Sequence, residues 1–265
     1  MGAASDPKGR RVTDTAALLI PSPSESERFG LLVGRLTVPP DESADEMLQI
    51  ARDAVHAGRF ELVIVRLPRS LTRPAEFSRS DGIEVIDAGC TVTYGAEVDP
   101  FRARSRAAGA EHMLRRIERW GRREAAIVEE IFAGYRNHVA ANPRLDASLV
   151  PAGYADWSAR HVDGRVSGDC FMLVDTQGQE VAFAAVATDE DALVIDLAGV
   201  LPTHRGHGVY QVLLDLLEAD AAARELTRIS ISTQVETVIA IRAWERRGWI
   251  ETAREWTLHL MPGSV

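Results

Sequence analysis

Cysteine is nearly absent: Cys90 and Cys170 are the only two in 265 residues. Both lie in apolar runs, so they exclude a disulfide framework and a cysteine zinc site and read as buried thiols. Positive charge is short as well. The 30 Lys and Arg face 39 Asp and Glu, giving a net charge of −9 and a pI of about 5.3. That balance argues against a nucleic-acid backbone as the main partner. No apolar run approaches the roughly 20 residues of a membrane span. Near the start, Leu18-Leu19-Ile20 is too short for a signal-peptide core and runs into Pro21. The expectation is a cytoplasmic protein without a metal, a membrane contact or a nucleic-acid partner.

What remains is an ordinary soluble composition, 46% hydrophobic and 26% charged, enough for one or two domains. Residues 1–27 read as a disordered or extended start. Residues 28–98 read as a small α/β unit. In it, Ser43-Ala-Asp-Glu46 caps a helix that puts Met47, Ile50, Ala51, Ala54 and Val55 on one face. Phe60 to Leu67 is a largely apolar and therefore central strand, and Ile83 to Val98 holds two more. Residues 99–123 carry eight arginines, either a solvated connector or a segment with one or two cations facing an anionic ligand. The linker is set at 99–110 and the second domain at 111–265, opening on a strand near Met113–Ile117. Its predicted order is strand, two helices, three strands, helix, strand, helix, strand.

The stretch from Ile195 to Tyr210 organises that second domain. An apolar strand, a turn at Pro202 and a loop with Gly206 and Gly208 lead into a helix with Val209, Val212, Leu213, Leu216 and Leu217 on one face. Backbone N–H groups in a first helical turn have no partner inside the helix. Glycines let a ligand come close to them, and the helix dipole favours an anion there. No Lys follows the glycines as in a P-loop, and Gln211 breaks a dinucleotide fingerprint.

Arg205-Gly206-His207-Gly208 after a strand resembles the acetyl-CoA loop of the GNAT acetyltransferases, Arg-x-x-Gly-x-Gly/Ala, with Tyr210 in place of the last small residue. A second run, Thr237-Val-Ile-Ala-Ile-Arg-Ala-Trp244-Glu-Arg-Arg-Gly248-Trp249, resembles the family's Asn-x-x-Ala-x-x-x-Tyr-x-x-x-Gly-Phe. The pattern over 28–260, with Tyr135-Arg-Asn-His138, Asn142-Pro-Arg-Leu-Asp146 and Ser232-Thr-Gln234, looks most like acetyltransferases of dTDP-4-amino-4,6-dideoxyhexoses. In that family a truncated α/β unit precedes the GNAT domain.

The resemblance implies an α/β GNAT fold with a mixed, splayed central sheet. It implies acetyl-CoA as cosubstrate, with pantetheine along Ala198, Gly199 and Val200 and the diphosphate on the amides of Arg205, Gly206, His207, Gly208, Val209 and Tyr210. Thr237 and Trp244 stand where the family touches the cofactor, and a small-molecule amine is the second substrate. Trp244 replaces the tyrosine that protonates the departing sulfur, and an indole N–H is no acid near neutral pH. Three accounts stand open: the thiolate leaves unaided or takes a proton from water, Tyr210 substitutes, or the chain binds acyl-CoA without efficient catalysis. The sequence reading adopts the first. Asp196 is the candidate base, against the alternative of an ordinary strand carboxylate; His138 and His161 flank the acceptor side, and His204 and His207 the phosphate side. The acceptor is read as a primary amine on a nucleotide-linked amino sugar or related natural-product intermediate, with another acyl donor or acceptor as alternative. Exposed strand edges make a homodimer a possible partner state.

Overall fold

The computed structural model describes residues 18–71 and 82–263. In chain order the elements are β1 (Leu19–Pro21), α1 (Pro23–Phe29), β2 (Val33–Thr37), α2 (Ala44–His56), β3 (Leu62–Pro68), β4 (Ile83–Glu97), α3 (Pro100–Ala107) and β5 (Met113–Arg116). There follow α4 (Arg122–Phe132), α5 (Val150–Val162), β6 (Asp169–Val174), β7 (Glu180–Asp189), β8 (Ala192–Val200), α6 (Val209–Ala223), β9 (Arg228–Gln234), α7 (Val238–Arg246) and β10 (Ile250–Pro262). The chain divides into two units, each drawn from separate stretches: Met1–Thr91, Asn137–Asp146 and Ala253–Val265 in the first, Val92–Arg136 and Ala147–Thr252 in the second.

In the first unit β2 and β3 are parallel, and β3 pairs antiparallel with β10 from Val63↔Leu260 to Pro68↔Glu255. Ser43 Oγ accepts the Glu46 N–H, as the capping pattern predicts. The helix it starts, α2, buries Met47, Leu48, Ala51, Ala54 and Val55 in a cluster with Leu36, Val63, Val65, Leu258 and Leu260. Burial of one such aliphatic side chain stabilises by roughly 1.5–3 kcal/mol.

Three segments depart from the sequence reading, the first being residues 83–98, expected to hold two strands and found as the single β4. Residues 23–27, inside the stretch expected to be disordered or extended, belong to α1, with Pro23 in its first turn and Ser22 bonded to Glu25. Within the expected linker lies α3, where Asp99 accepts the N–H groups of Phe101 and Arg102 ahead of Pro100. The expected disordered start up to residue 17 lies outside the described residues.

In the second unit the strand order is the end of β4, then β9, β8, β7, β6 and β5. β8 and β9 are parallel while β5 to β8 alternate antiparallel, so the sheet is mixed. One face packs Leu173, Val186, Leu193, Ile195 and Ile231 with Leu213 and Leu217 of α6 and Trp244 of α7. The other packs Cys170, Met172, Phe183, Ala185 and Leu197 with Val128 and Ile131 of α4 and Ala155 of α5. Both cysteines are free and buried.

Side chains alternate faces along a strand, so Ile195 and Leu197 belong on the same side. They lie on opposite sides. The register against β7 supplies the cause: Val186↔Ile195 is followed by Ala185↔Leu197, leaving Asp196 as the extra residue of a β-bulge. Past the bulge the alternation is inverted.

Candidate active site

β8 and β9 stay paired only from Ala192↔Arg228 to Ile195↔Ile231. β8 keeps to β7 beyond that point, through Ala184↔Ala198, Phe183↔Gly199 and Ala182↔Val200. β9 keeps to β4, where the Thr93 and Ser232 hydroxyls are bonded at 2.8 Å. Gly95 allows the close approach there, since a Cβ would meet the Ile229 carbonyl at 3.0 Å. The sheet therefore opens between residues 196–200 and 232–234. Among the described residues no strand pairs with that edge of β8. An extended chain carrying amides could add there as a strand does.

Beyond Val200 the chain makes a 3-10 turn, Pro202–His204, and enters α6. Gly206 and Gly208 adopt φ of +81° and +79°, and a Cβ on either would meet only open space. Backbone strain, not crowding, is what reserves both positions for glycine. Arg205 donates its amide to the Pro202 carbonyl at 3.3 Å, so it leaves the anion cradle expected for it. The amides of Gly206, His207, Gly208, Val209 and Tyr210 meet no acceptor among the described residues, whereas Gln211 and Val212 both bond Gly208 O. Five free donors lie at the positive end of a 15-residue helix. That arrangement holds a diphosphate well.

The Arg205 side chain braces the loop. Nε donates to the Val200 carbonyl at 3.0 Å and Nη2 to the Ile131 carbonyl at 2.8 Å, satisfying an orphan group in the last turn of α4. Thr237 stands at the start of α7 with its hydroxyl making no cap bond. Of the loop histidines, His207 is exposed, and His204 Nδ1 bonds Thr203 Oγ1 at 2.9 Å.

Trp244 does not face the slot. It is 1% exposed, packed in the core beside the Tyr94 ring at 5.6 Å. Its one polar outlet is Nε1–H, which donates to the Tyr210 hydroxyl at 3.1 Å. Burial pushes the Tyr210 phenol up to about 12, against the opposing pull of the Trp244 bond and Arg247, and Tyr135 adds slightly to the rise. Tyr135 in turn bonds Thr233 Oγ1 at 3.0 Å, on the part of β9 beyond the pairing. Its ring and those of Phe132 and Tyr154 pack together with centroids 4.9–6.1 Å apart. Asp196, one-fifth exposed at the bulge, lies with Oδ2 3.3 Å from Nε2 of the buried His161. His138 is elsewhere, hydrogen-bonded to His259 in the first unit.

Residues 142–249 match the model of the acetyltransferase (GNAT) family. The matched stretch spans less than half of the chain. Its fold is also that of solved structures with low sequence identity. A conserved protein of unknown function from Staphylococcus epidermidis superposes with a TM-score of 0.54 and 11% identity, over 88% of this chain and 84% of its own. A tandem GNAT protein from the clavulanic acid biosynthesis pathway gives 0.53 and 18%, over 88% and 76%. By sequence, the spore coat polysaccharide biosynthesis protein SpsD of Bacillus subtilis (strain 168) is 23% identical over 124 residues, 46% of this chain and 42% of that protein. The chain thus matches less than half the length of that relative.

Two features of this site escaped the sequence reading. The Trp244–Tyr210 bond joins residues 34 apart, and no local signal pairs them. The brace from Arg205 joins residues 74 apart. Gly199 was read as pantetheine backbone, and the structure gives it a packing role too: a Cβ there would lie 2.3 Å from Ile131 Cγ2. Gly199→Ala is expected to push α4 off the sheet and destabilise the protein by about 1–3 kcal/mol, as overpacking does. A urea titration checks this, and an unchanged midpoint would contradict the contact.

Among the described residues no cluster of three His, Cys, Asp or Glu could hold a metal ion, and no helix is long and apolar enough to cross a membrane.

Proposed function

We propose that the protein transfers an acetyl group from acetyl-CoA to a primary amine by direct attack of the amine on the thioester. The observation that carries this reading is the opening of β8 from β9 directly before five unpartnered amides. A diphosphate on Gly206 to Tyr210 leaves the pantetheine arm to enter the slot along Ala198 to Val200. Holding both substrates there supplies much of the barrier reduction. In this reading Asp196, the extra residue of the bulge where the pairing of β8 with β9 ends, accepts the proton of the amine.

The departing sulfur meets Tyr210. Trp244 donates to the phenol oxygen, which leaves the phenol proton for another acceptor. A phenol near 12 is a weaker acid than a thiol of about 8.5, so Tyr210 stabilises the thiolate by a hydrogen bond and water completes protonation. This joins the first two accounts left open by the sequence. Tyr210→Phe is expected to lower kcat about 10–100-fold, one charge-assisted hydrogen bond, with coenzyme A affinity held. It also strands the buried Trp244 N–H, at about 1–3 kcal/mol of stability. An unchanged kcat would remove Tyr210 from the mechanism.

For the acceptor we propose an amino sugar carried on a nucleotide. The support is the sequence pattern shared with dTDP-4-amino-4,6-dideoxyhexose acetyltransferases, together with the similarity to a polysaccharide biosynthesis protein. Release of free thiol from acetyl-CoA is the test, with a panel holding 4-amino-4,6-dideoxyhexose nucleotides, free amino sugars, aminoglycosides and amino acids. Turnover concentrated on the nucleotide sugars supports the full reading. Turnover on another amine supports acyl transfer and refutes the acceptor. If coenzyme A raises the melting temperature and no amine releases thiol, the protein is an acyl-CoA binder and the enzyme reading fails.

A further inference from the structure

The side chain of His161, on α5, is fully buried, and neither ring nitrogen has a hydrogen-bond partner. Burying a polar ring unpaired is costly, and such a group calls for a reason. Nε2 lies 3.3 Å from Asp196 Oδ2, within ion-pair distance but off the line of a hydrogen bond. On the other side Gly168, at φ +147°, presses backbone against the ring: a Cβ there would lie 2.6 Å from Nδ1. Trp157 flanks it with centroids 5.9 Å apart. The ring is sealed from water, and Asp196 beside it reaches solvent at the bulge.

Other charges around the ring are already matched. Asp169 on β6 is paired with Arg116 and Arg224, and Asp163 on α5 with Arg165. Cys170, the neighbouring thiol on β6, donates to the Ser158 carbonyl and is pushed up to about 12, chiefly by burial, so it takes no part. Asp196 is left as the partner of the imidazole.

We propose that Asp196 and His161 form one proton-accepting unit, in which Asp196 meets the acceptor amine and His161 acts through it as a positioning residue. This rests on the acyl-transfer reading. An amine arriving as ammonium must lose one proton before its lone pair can attack. The N–H bond breaks, the proton passes to the Asp196 carboxylate, and the imidazole behind it shares that proton. The pair goes from one net negative charge to none, and the amine becomes neutral. No further reactant is required. Residues that act as a unit lose activity non-additively.

The test is a cycle of His161→Gln, Asp196→Asn and the double variant, with His161→Phe beside it, measured with the best amine found for the wild type. His161→Gln is expected to lower kcat about 10–100-fold and to leave the KM for acetyl-CoA within about twofold. The double variant is expected to be no slower than Asp196→Asn alone, within about threefold. If His161 only fills space, its loss multiplies with that of Asp196, and the proposal is overturned. Should His161→Phe not fold, the glutamine variant carries the result. NMR of the histidine rings tests the pair without turnover. Asp196→Asn must move the His161 resonances and their pH response; unmoved resonances overturn the pairing. A wild-type protein that acetylates no amine refutes the acyl-transfer reading instead, and the NMR result then stands by itself.

Discussion

Between pH 6.5 and pH 4 the folded protein is expected to lose about 3 kcal/mol of stability through His259 alone. His138 and His259 are both buried in the first unit, with His138 Nδ1 at 2.9 Å from His259 Nε2. Asn142 fixes the protons. Its Oδ1 accepts the Arg144 N–H, so its Nδ2 must donate to His259 Nδ1. His259 therefore carries its proton on Nε2 and donates to His138 Nδ1. The chain of donors works only with both rings neutral, since an added proton would set donor against donor. Burial lowers His259 to about 4, with Arg35 and Arg66 adding to the fall and Glu25 opposing it. Burial and then His259 itself hold His138 well below the ordinary histidine value.

A depressed histidine favours the neutral form in the fold. The full stability is present above the unfolded value of 6.5, erodes as pH falls and is lost through His259 by about pH 4. Urea titrations at half-unit steps from pH 7 to 4.5 check this. Wild type should lose about 1.4 kcal/mol more per pH unit than His259→Gln below pH 6. Equal slopes in the two proteins would contradict the neutral pair.

Gly208→Glu is expected to weaken coenzyme A binding at least about 100-fold. Two unit charges about 4 Å apart repel by roughly 4 kcal/mol in a protein-surface environment, and the diphosphate would meet the new carboxylate at about that range. A Cβ at this position meets nothing within 4 Å, so the substitution starts from open space. The left-handed backbone alone costs a non-glycine residue about 1–2 kcal/mol. Gly208→Asn isolates that part, because asparagine tolerates the conformation and carries no charge; its affinity should stay within about tenfold. Calorimetry with coenzyme A reads both. Glutamate and asparagine variants of equal affinity would place the diphosphate elsewhere.

The loop was legible because its determinants are local. Two glycines at positive φ, a turn at Pro202 and a helical stripe from Val209 sit within a few residues of one another. The capping of α2 by Ser43 was legible for the same reason. The bulge at Asp196 was not, since a strand carries its own alternation but not the register of its neighbour; only β7 shows that one residue of β8 is extra. The Trp244 position looked like a missing acid. The hydroxyl that Trp244 bonds, on Tyr210, comes from another helix, out of reach of any local signal. The helices α1 and α3 did leave signals, Ser22-Pro23 and Asp99-Pro100, a capping residue before a first-turn proline. In both places composition rich in serine, proline or arginine outweighed them.

The most direct measurement is a crystal structure of the protein grown with coenzyme A. The account predicts diphosphate oxygens within about 3 Å of the amides of Gly206 to Tyr210, and the pantetheine amides paired to β8 between Asp196 and Val200, on the side that β9 has left. A ligand bound away from those amides, or a β9 drawn in to pair with β8 along its whole length, would contradict it.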